Sequence, residues 1–376
     1  MTSPQTLAQI ETWLRDWLAD AVALWLDRGL DRPRGGFHEH LSPDTLTCAA
    51  DFRRLRVVTR QIYAFSAAHR LGHPEAREAV DFGLAFLLGR ARHPQGGYAN
   101  RFDLDGGVID ETRDLYDLAF VLFALAHAWR LTGDSALRDE AEALAGFITR
   151  EMTHPAGGLL ESLPPKLPRR QNPHMHLLEA TLAWSDADRT GVFAALRDRL
   201  VALLAAHFVD AGGDYLREYL DEDLNPLPAP RGTLWEPGHH WEWVWLLAEA
   251  ARAGAAVPSG LGDRLAAKAR RQGVSPATGL CWGEVADDGT ILQPVTRIWS
   301  QGEWLKAEAV TPGPDRDARA ARAFAALRHF LGTSPRGLWF ERADAATGAL
   351  VSEPSPATSF YHIVMAIEVV AAARTA

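Results

Sequence analysis

The chain repeats one pattern six times. A polar or aromatic cluster opens an apolar segment once in each repeat, at intervals of 56, 60, 63, 60 and 63 residues. The cluster markers are Arg60, Tyr116, His176, His239, Trp299 and His362. A glycine followed by aromatic or aliphatic residues recurs out of phase with them, at Gly36, Gly97, Gly158, Gly213, Gly279 and Gly337. A fixed period is the signature of a repeat architecture. Six repeats predict one closed ring, with residues 1–376 as a single domain.

Apolar residues at helical spacing predict roughly twelve helices, which fall into six pairs. The predicted helices cover 5–28, 54–71, 74–91, 112–132, 135–152, 172–187, 190–208, 235–254, 258–273, 297–311, 315–332 and 357–374. The link within a pair is short and turn-like, as at 71–75, whereas the connection between pairs is long and strand-prone. The connections at 96–111 and 279–294 have the alternation and second turn of a β-hairpin.

The two helices of a pair differ in polarity. The segments 115–129 and 239–252 are apolar on nearly every face, whereas 135–152 and 258–273 are amphipathic. A helix that is apolar all round must be buried. We therefore predict an all-α fold, an (α/α)6 barrel of six inner and six outer helices with short β-hairpins on one rim. The inner-helix N-termini gather at that rim, where free backbone N–H groups favour electron-rich ligands.

Composition excludes several classes of function. A net charge of −9 gives no electrostatic reason to bind nucleic acid or an anionic membrane. Two cysteines, Cys48 and Cys281, are too few for a disulfide framework and indicate a reducing compartment. No secretion signal opens the chain, and no apolar run of about 20 residues marks a membrane span. These features predict a cytoplasmic protein, monomer or homodimer, that takes a small neutral ligand and has no nucleic-acid or membrane partner.

The strongest local motif is QNPHMHLLEA at 171–180. Asn172 and His176 are four residues apart, so they share one helix face. Helix capping accounts for Asn172 before Pro173 but not for His176. His174 and His176 are two residues apart and face different directions, which disfavours a metal pair.

Two further histidines, His239 and His362, lie near the start of inner helices, at the position in the repeat that His176 occupies. EPGHHWEWVWLL at 236–247 places His239 and Glu242 three apart on one face, and a carboxylate beside an imidazole tunes it for proton transfer. The alternative is a buried histidine satisfied by Glu242 without chemistry. His362 stands alone in the apolar run of TSFYHIVMAIEVV, so it is either catalytic or a satisfied core residue.

The remaining clusters carry aromatic and charged groups. RIWSQGEWLKAEA at 297–309 offers Trp299 and Glu303, a stacking surface and a hydrogen-bonding group suited to a sugar ring, unless Trp299 only fills the core. Arg60 lies in an otherwise apolar helix and must meet a carboxylate or a substrate oxygen, because an unpaired buried guanidinium is costly. Tyr116 and Asp117 open the next inner helix, where Asp117 either contacts the substrate or pairs with Arg60.

Together these segments resemble the N-acylglucosamine 2-epimerase family, which includes cellobiose 2-epimerase, mannose isomerase and sulfoquinovose isomerase on an (α/α)6 barrel. The resemblance spans nearly the whole chain. It rests on TRQIYAFS, LYDLAF, QNPHMHLLEA, PGHHWEWVWLL, RIWSQGEWLKAEA and SFYHIVMA. Ser300 replaces the proline of the family's WPQ segment, and Ile298 stands where disaccharide epimerases carry a second tryptophan. Both departures disfavour a cellobiose epimerase, and the compact length and the QNPHMHLLEA segment resemble the mannose and sulfoquinovose isomerase branch.

The resemblance implies sugar ring opening followed by removal of the carbon 2 proton, which gives a cis-enediol. It implies that His239 and His362 form the acid/base pair and that His176 assists ring opening. Arg60 would hold the enediolate oxygen, and Glu242 and Glu303 would orient the imidazoles. The residues expected to contact the sugar are Tyr116, Asn172, Trp299, Glu303 and Asp117. The connection 212–236 is expected to cover it.

The predicted function is therefore an aldose–ketose isomerase, converting D-mannose into D-fructose, with a monosaccharide as substrate and neither metal nor cofactor required. Reprotonation at carbon 2 instead of carbon 1 yields an epimer with the same residue types, so a 2-epimerase is the neighbouring alternative. A more remote one is an (α/α)6 glycoside hydrolase using two of Glu242, Glu303 and Asp117. A non-catalytic sugar-binding or protein-interaction ring is a third class.

Overall fold

The structure is a computed structural model that describes residues 6–210 and 212–375, and within them each of the twelve predicted helices is present. They are α1 (Leu7–Arg28), α2 (Leu55–Arg70), α3 (Arg77–Arg90), α4 (Leu115–Thr132), α5 (Ser135–Glu151), α6 (Gln171–Ala183), α7 (Val192–Leu203), α8 (Pro237–Arg252), α9 (Leu261–Gln272), α10 (Ile298–Val310), α11 (Arg316–Phe330) and α12 (Phe360–Thr375). Short 3-10 turns begin or extend several of them, and a π turn over Leu204–Phe208 follows α7. Helix ends therefore shift by a few residues from the sequence pattern.

The even-numbered helices form the inner ring. Each contacts the next one around the ring, and α12 contacts α2, so the circle closes. Every residue of α4 from Leu115 to Ala128 is buried except Tyr116 and His127. Helix α9, by contrast, buries one stripe that includes Leu261 and Leu265. The predicted (α/α)6 barrel is confirmed, with the all-round apolar helices inside because no face of them can meet water.

Helix α4 is also long and apolar enough, by length and composition alone, to span a membrane, and it is the one helix of this kind in the described part of the chain. Its place in the inner ring accounts for that character, since 67% of the window is buried inside the protein. The same composition is what a core helix of a helical barrel needs.

The first and last helices complete the ring. Outer helix α1 packs on inner helix α12, just as each other outer helix packs on its inner partner. Trp25 of α1 stacks on Trp339 with ring centroids 5.1 Å apart, and both rings stack on Phe360 of α12. The sixth pair is thus made from the two ends of the chain. Because the other five pairs are consecutive helices, α1 and α12 must pair for the ring to close.

Short antiparallel strands line the rim at which the inner helices begin. They are β1 (His40–Leu41), β2 (Phe52–Arg54), β3 (Arg101–Asp103), β4 (Val108–Asp110), β5 (Arg113–Asp114), β6 (Ser162–Leu163), β7 (Arg169–Arg170), β8 (Tyr219–Leu220), β9 (Leu234–Trp235), β10 (Glu284–Ala286), β11 (Ile291–Gln293), β12 (Val295–Arg297), β13 (Arg342–Asp344) and β14 (Ser355–Pro356). Hairpins join β3 to β4 and β10 to β11, in the two connections with the clearest hairpin pattern.

All six connections also pair strands across repeats. Each strand that enters an inner helix pairs with a strand of the neighbouring connection: β2 with β3, β5 with β6, β7 with β8, β9 with β10, β12 with β13 and β14 with β1. A strand of two or three residues pairs with the strand that lies next to it on the ring. The residue pattern along the chain does not show which strand that is. The rim is thereby tied together all the way round.

The recurring glycines turn the chain after each outer helix. All six have positive φ, from 64° at Gly158 to 100° at Gly337, a backbone region that costs side-chain-bearing residues energy. An isolated β-bridge closes each of these turns, as between Thr153 and Leu159. At Gly337 a Cβ atom would also lie 2.9 Å from the backbone of Ala21. The glycine marker is therefore a requirement of the turn itself.

Candidate active site

A polar cavity of about 160 Å³ opens among the inner-helix N-termini. Its lining residues are Arg60, Tyr116, Asn172, His176, Glu236, His239, Glu242, Arg297, Trp299 and His362. Eight of the residues that the sequence analysis singled out thus come together, one or more from each inner helix. Pockets for drug-sized ligands are about 300–1,000 Å³. This cavity therefore suits one small polar molecule.

The three histidines of the cavity are held in the same way. In each, ring nitrogen Nδ1 faces a buried glutamate. The pairs are His176 with Glu179 at 3.1 Å, His239 with Glu218 at 2.9 Å, and His362 with Glu303 at 2.7 Å. A carboxylate at Nδ1 keeps a proton on that nitrogen and fixes the ring. Nitrogen Nε2 of each imidazole is then the atom left for a further partner, and in His239 that atom already meets the side-chain amide of Asn172.

His239 is the cationic member of this set. Burial disfavours the imidazolium, but the carboxylates of Glu218 and Glu236 outweigh it and raise the pKa of His239 to about 10. The side-chain amide of Asn172 lies 2.9 Å from its Nε2. At neutral pH His239 therefore carries a proton that it can give to a ligand oxygen.

His362 is neutral by contrast. Burial and the positive charges of Arg60 and Lys306 hold the pKa of His362 well below its usual range. Its partner Glu303 is itself engaged by Lys306, whose Nζ lies 2.6 Å from the second carboxylate oxygen. With Nδ1 protonated towards Glu303, Nε2 of His362 offers a lone pair, which is the state of a general base.

Glu242 lies between two of the histidine pairs. Its Oε1 is 3.7 Å from His176 Nδ1, and the ligating atoms of Glu242, Glu303 and His362 lie within 4.8 Å of one another. Neither of its oxygens has a hydrogen-bond partner among the residues the structure describes. Burial and the neighbouring Glu303 raise the pKa of Glu242 well above its usual range. Glu242 is thus a buried neutral acid that faces the cavity.

The expected pairing of Glu242 with His239 is therefore wrong. The two residues are three apart on α8, but the His239 ring turns to Glu218 from the connection before the helix. Helical spacing places both side chains on one face, and only the neighbouring chain segments determine which partner each one meets. Glu242 instead lies close to Nδ1 of His176, the nitrogen that Glu179 also contacts.

Arg60 has no carboxylate partner among the described residues. It donates to the hydroxyl of Tyr116 and to the carbonyl of Thr358, and its guanidinium lies 4.3 Å from the ring centre of Phe120. Its expected partner, Asp117, pairs instead with Arg56 at 2.9 Å and does not line the cavity. Arg60 therefore brings an uncompensated positive charge to the cavity.

Trp299 separates the two histidines that differ in charge. Its ring centre is 5.0 Å from that of His239 and 5.7 Å from that of His362. Gly238 makes room for it, since a Cβ atom there would lie 2.5 Å from the indole. Trp299 thus fixes the spacing of the imidazoles and gives the cavity one aromatic face.

Sequence reasoning missed Glu218, Glu236, Arg297 and Lys306. A signal for Glu218 was present in the repeat, because a buried glutamate follows four of the six glycine turns: Glu39, Glu161, Glu218 and Glu341. In three cases that glutamate pairs with the arginine that precedes an inner helix: Arg54 with Glu39, Arg170 with Glu161 and Arg297 with Glu341. In the fourth repeat Glu236 takes the arginine's place. Glu218 therefore turns to His239 instead.

The charge of His239 should depend on Glu218. In Glu218→Gln the negative charge at Nδ1 is lost, so we expect the pKa of His239 to fall from about 10 by roughly two pH units or more. Titration of the imidazole by NMR measures this directly and needs no substrate.

Glu161→Gln is the matched control, because Glu161 is an equally buried carboxylate of the same rim that pairs with Arg170. It should leave the titration of His239 unchanged. An unaltered His239 titration in Glu218→Gln would show that Glu218 does not set this charge.

Groups of histidine and glutamate also have the spacing of metal ligands. The groups are His176 with Glu179 and Glu242, Glu218 with Glu236 and His239, and Glu242 with Glu303 and His362. In each of them the nearest histidine nitrogen is Nδ1, which the adjacent glutamate engages. Arg60 and Lys306 add positive charge beside two of the groups. This donor set fits proton transfer better than it fits a cation.

The fold is a closed (α/α)6 ring with a histidine-bearing polar cavity at its rim, and the relatives of the chain are named isomerases and epimerases. The protein is an enzyme of the isomerase class. The chain belongs to the N-acylglucosamine 2-epimerase family, whose model matches residues 35–366. The family indicated by the sequence motifs is confirmed.

Three relatives illustrate the similarity. A mannose-6-phosphate isomerase of Rhizobium meliloti (strain 1021) is 38% identical over 369 residues, which cover 94% of this chain and 95% of that protein. A D-mannose isomerase of Thermobifida fusca is 31% identical over 76% of this chain and 70% of its own. The structure of cellobiose 2-epimerase from Spirochaeta thermophila DSM 6192 superposes with a TM-score of 0.87 at 21% identity, covering 98% and 97% of the two chains.

Proposed function

We propose that the protein is an aldose–ketose isomerase that converts D-mannose into D-fructose through ring opening and a cis-enediol. The observation that carries the proposal is the pairing of a cationic His239 with a neutral His362 across one small cavity. A general acid and a general base in place at the same pH are what enediol chemistry requires. The names of relatives that match most of the chain support mannose as the sugar.

Ring opening is assigned to His176 and Glu242. Burial and the nearby Arg60 hold the pKa of His176 well below its usual range, so its Nε2 is free to take the proton of the anomeric hydroxyl. Glu242 is protonated and faces the cavity, and it can give its proton to the ring oxygen. The imidazolium then gives its Nδ1 proton to Glu242 over the 3.7 Å that separates Nδ1 from Oε1. The hydroxyl proton stays on Nε2 until the product ring closes by the reverse of these transfers.

Isomerisation then uses the other two histidines. Nε2 of His362 takes the proton from carbon 2, while Nε2 of His239 protonates oxygen 1, which gives the cis-enediol. His362 next returns its proton to carbon 1, and the hydroxyl at carbon 2 gives its proton back to His239 as the ketone forms. Arg60 stabilises the negative charge that develops on the oxygens between these steps, where such stabilisation lowers the barrier.

The substrate proposed is the free sugar, although one relative is named for a sugar phosphate. The three arginines that precede inner helices at this rim are each paired with a buried glutamate, and Glu236 adds a carboxyl to the cavity itself. A phosphate dianion needs free guanidinium or ammonium groups besides Arg60, which is already assigned to the enediolate oxygens. The rim described here supports a neutral monosaccharide.

Incubation with D-mannose in heavy water, followed by NMR, tests the function. Fructose, with deuterium at carbon 1 where the His362 proton exchanges, supports the proposal. Glucose labelled at carbon 2 would make the protein a 2-epimerase instead. If neither sugar forms and no deuterium enters, mannose is not the substrate. The same incubation with mannose 6-phosphate is the matched control, and faster turnover of the phosphate would overturn the choice of a free sugar.

The remaining alternatives have no such support. A glycoside hydrolase needs two carboxyl groups on either side of the bond that it cleaves. Of the three candidates, Glu303 and Asp117 do not line the cavity and are engaged by Lys306 and Arg56. A monomeric or homodimeric protein of the cytoplasm, without nucleic-acid or membrane partners, stays a prediction of the sequence.

A further inference from the structure

Lys306 is buried completely in the wall of the inner ring. Its side chain and that of Glu303, one helical turn earlier on α10, are both 0% exposed. Its Nζ lies 2.6 Å from Glu303 Oε2, 3.1 Å from the sulfur of Met365 and 4.0 Å from the ring centre of Trp245. Lysine is almost never fully buried unless it is paired. Lys306 does not line the cavity, so it does not contact a ligand there.

Lys306, Glu303 and His362 form a line of contacts that ends at the cavity. Glu303 bridges Lys306 and His362, with one carboxylate oxygen on Nζ and the other 2.7 Å from Nδ1. Replacing a buried ion pair by apolar side chains is often neutral or stabilising for a fold. Stability alone therefore does not explain why a lysine occupies this position.

We propose that Lys306 is a positioning residue that keeps Glu303 ionised, so that Glu303 accepts the Nδ1 proton of His362 and leaves Nε2 as the base. This inference rests on the proposed function, in which His362 removes the carbon 2 proton. Lys306 acts through Glu303 and touches no reacting atom.

The carboxyl groups around Glu303 make the ammonium group of Lys306 necessary. Glu303 also faces the carboxyl groups of Glu242 on α8 and Glu179 on α6. The cationic His239 of α8 also lowers the pKa of Glu303, but His239 is paired with Glu218. The positive groups nearest to His362 besides Lys306 are Arg60 on α2 and Arg297 at the start of α10, while His176 faces it from α6. None of these three is paired with Glu303.

Burial raises the pKa of Glu303 to about 7 even though Lys306 lowers it. Without the ammonium group, a carboxyl among other buried carboxyls would be protonated at neutral pH. A protonated Glu303 donates its O–H to Nδ1 of His362. The imidazole must then carry its own proton on Nε2, which removes the lone pair that faces the sugar.

Lys306→Met tests the inference, because methionine preserves the packing against Trp245 and Met365. We expect kcat at pH 7 to fall roughly 100-fold, with KM changed by less than about threefold, since general-base catalysis is lost and binding is not. The acid limb of the kcat profile should move to higher pH by about two units, because activity now follows the ionisation of an unaided Glu303. Lys306→Arg should stay close to the parent profile.

Lys268→Met is the matched control. Lys268 is also a buried lysine, 5% exposed, whose Nζ donates to the carbonyl of Asp287 at 2.9 Å and lies over Trp235. It belongs to outer helix α9, away from the histidines. Its loss should leave kcat and the pH profile unchanged.

A double variant separates positioning from packing. In Lys306→Met with Glu303→Gln, the amide oxygen can accept the Nδ1 proton of His362 without any cation, so we expect kcat at pH 7 to rise at least about tenfold over Lys306→Met alone. A Lys306→Met enzyme with an unshifted acid limb would overturn the proposal, and so would a double variant that shows no recovery.

The tautomer of His362 can be read without turnover. Nitrogen-15 chemical shifts distinguish the protonated from the unprotonated ring nitrogen, and the proton should move from Nδ1 to Nε2 in Lys306→Met. If mannose is not a substrate but this change occurs, the role of Lys306 stands and the proposed function fails. If mannose is converted and the tautomer does not change, the role of Lys306 is refuted.

Discussion

His362→Asn should lower kcat roughly 10³-fold, within the 10²–10⁴ range that a general base contributes. The cavity holds two other histidines, but neither can replace it. His239 is cationic at neutral pH, with a pKa of about 10, and has no lone pair to offer. His176 is neutral, but its ring is held on α6 by Glu179 at Nδ1 and by packing against Tyr116, so it does not occupy the position of His362. Steady-state kinetics on mannose measures the effect.

His127→Asn is the control for this prediction. His127 belongs to inner helix α4 and is half-buried, and it lies near the far end of the helix, where its Nδ1 is 3.0 Å from Arg70. We expect kcat of this variant to stay within about twofold of the parent enzyme. A His362→Asn enzyme that keeps most of its kcat would remove His362 from the base role, and with it the direction of proton transfer given above.

Arg60→Met should separate activity from stability. Removing one donor to a developing oxyanion costs roughly 10²–10³ in rate, so we expect kcat/KM to fall by that factor. The fold should not suffer, because Arg60 is 5% exposed and has no carboxylate partner among the described residues. An unpaired buried guanidinium destabilises the folded state, and methionine fills similar space without a charge. Urea unfolding should give an equal or higher free energy of unfolding.

Arg53→Met is the control, and we expect it to lose stability while its activity is kept. Arg53 lies on rim strand β2, outside the cavity; it is 1% exposed and pairs with Asp31 at 2.6 Å. Its loss leaves a buried carboxylate without its cation, at a cost of about 3–5 kcal/mol in the free energy of unfolding. Its kcat should not change. If Arg60→Met lost stability as Arg53→Met does while keeping its kcat/KM, Arg60 would be a structural residue only.

Some features of the protein on which these experiments depend could be predicted from the sequence, and others could not. The six glycine turns and the twelve helices could be predicted, since positive φ demands glycine and helical periodicity is a local property. The cavity could also be located, because every cluster opens an inner helix and the inner-helix N-termini share one rim.

The carboxylate partners could not be predicted in the same way. Glu242 was matched to His239 by helical spacing, and Asp117 to Arg60 by charge, yet His239 meets Glu218 and Asp117 meets Arg56. Both errors have one origin. A side chain at an inner-helix N-terminus lies between two neighbouring repeats, so its nearest partner comes from a segment that is distant along the chain.

By itself, the sequence determined the ring, the position of its cavity and the kinds of side chain that enter it, because a sixfold period and helical polarity are written along the chain. Tertiary structure alone decided which glutamate faces which histidine. That choice sets the charges, since a carboxylate at 2.9 Å favours the cationic form of His239, whereas the carboxylate that faces His362 is paired with Lys306. Charge states of buried groups depend on distances of a few ångströms between segments far apart in sequence, and a linear pattern does not contain them.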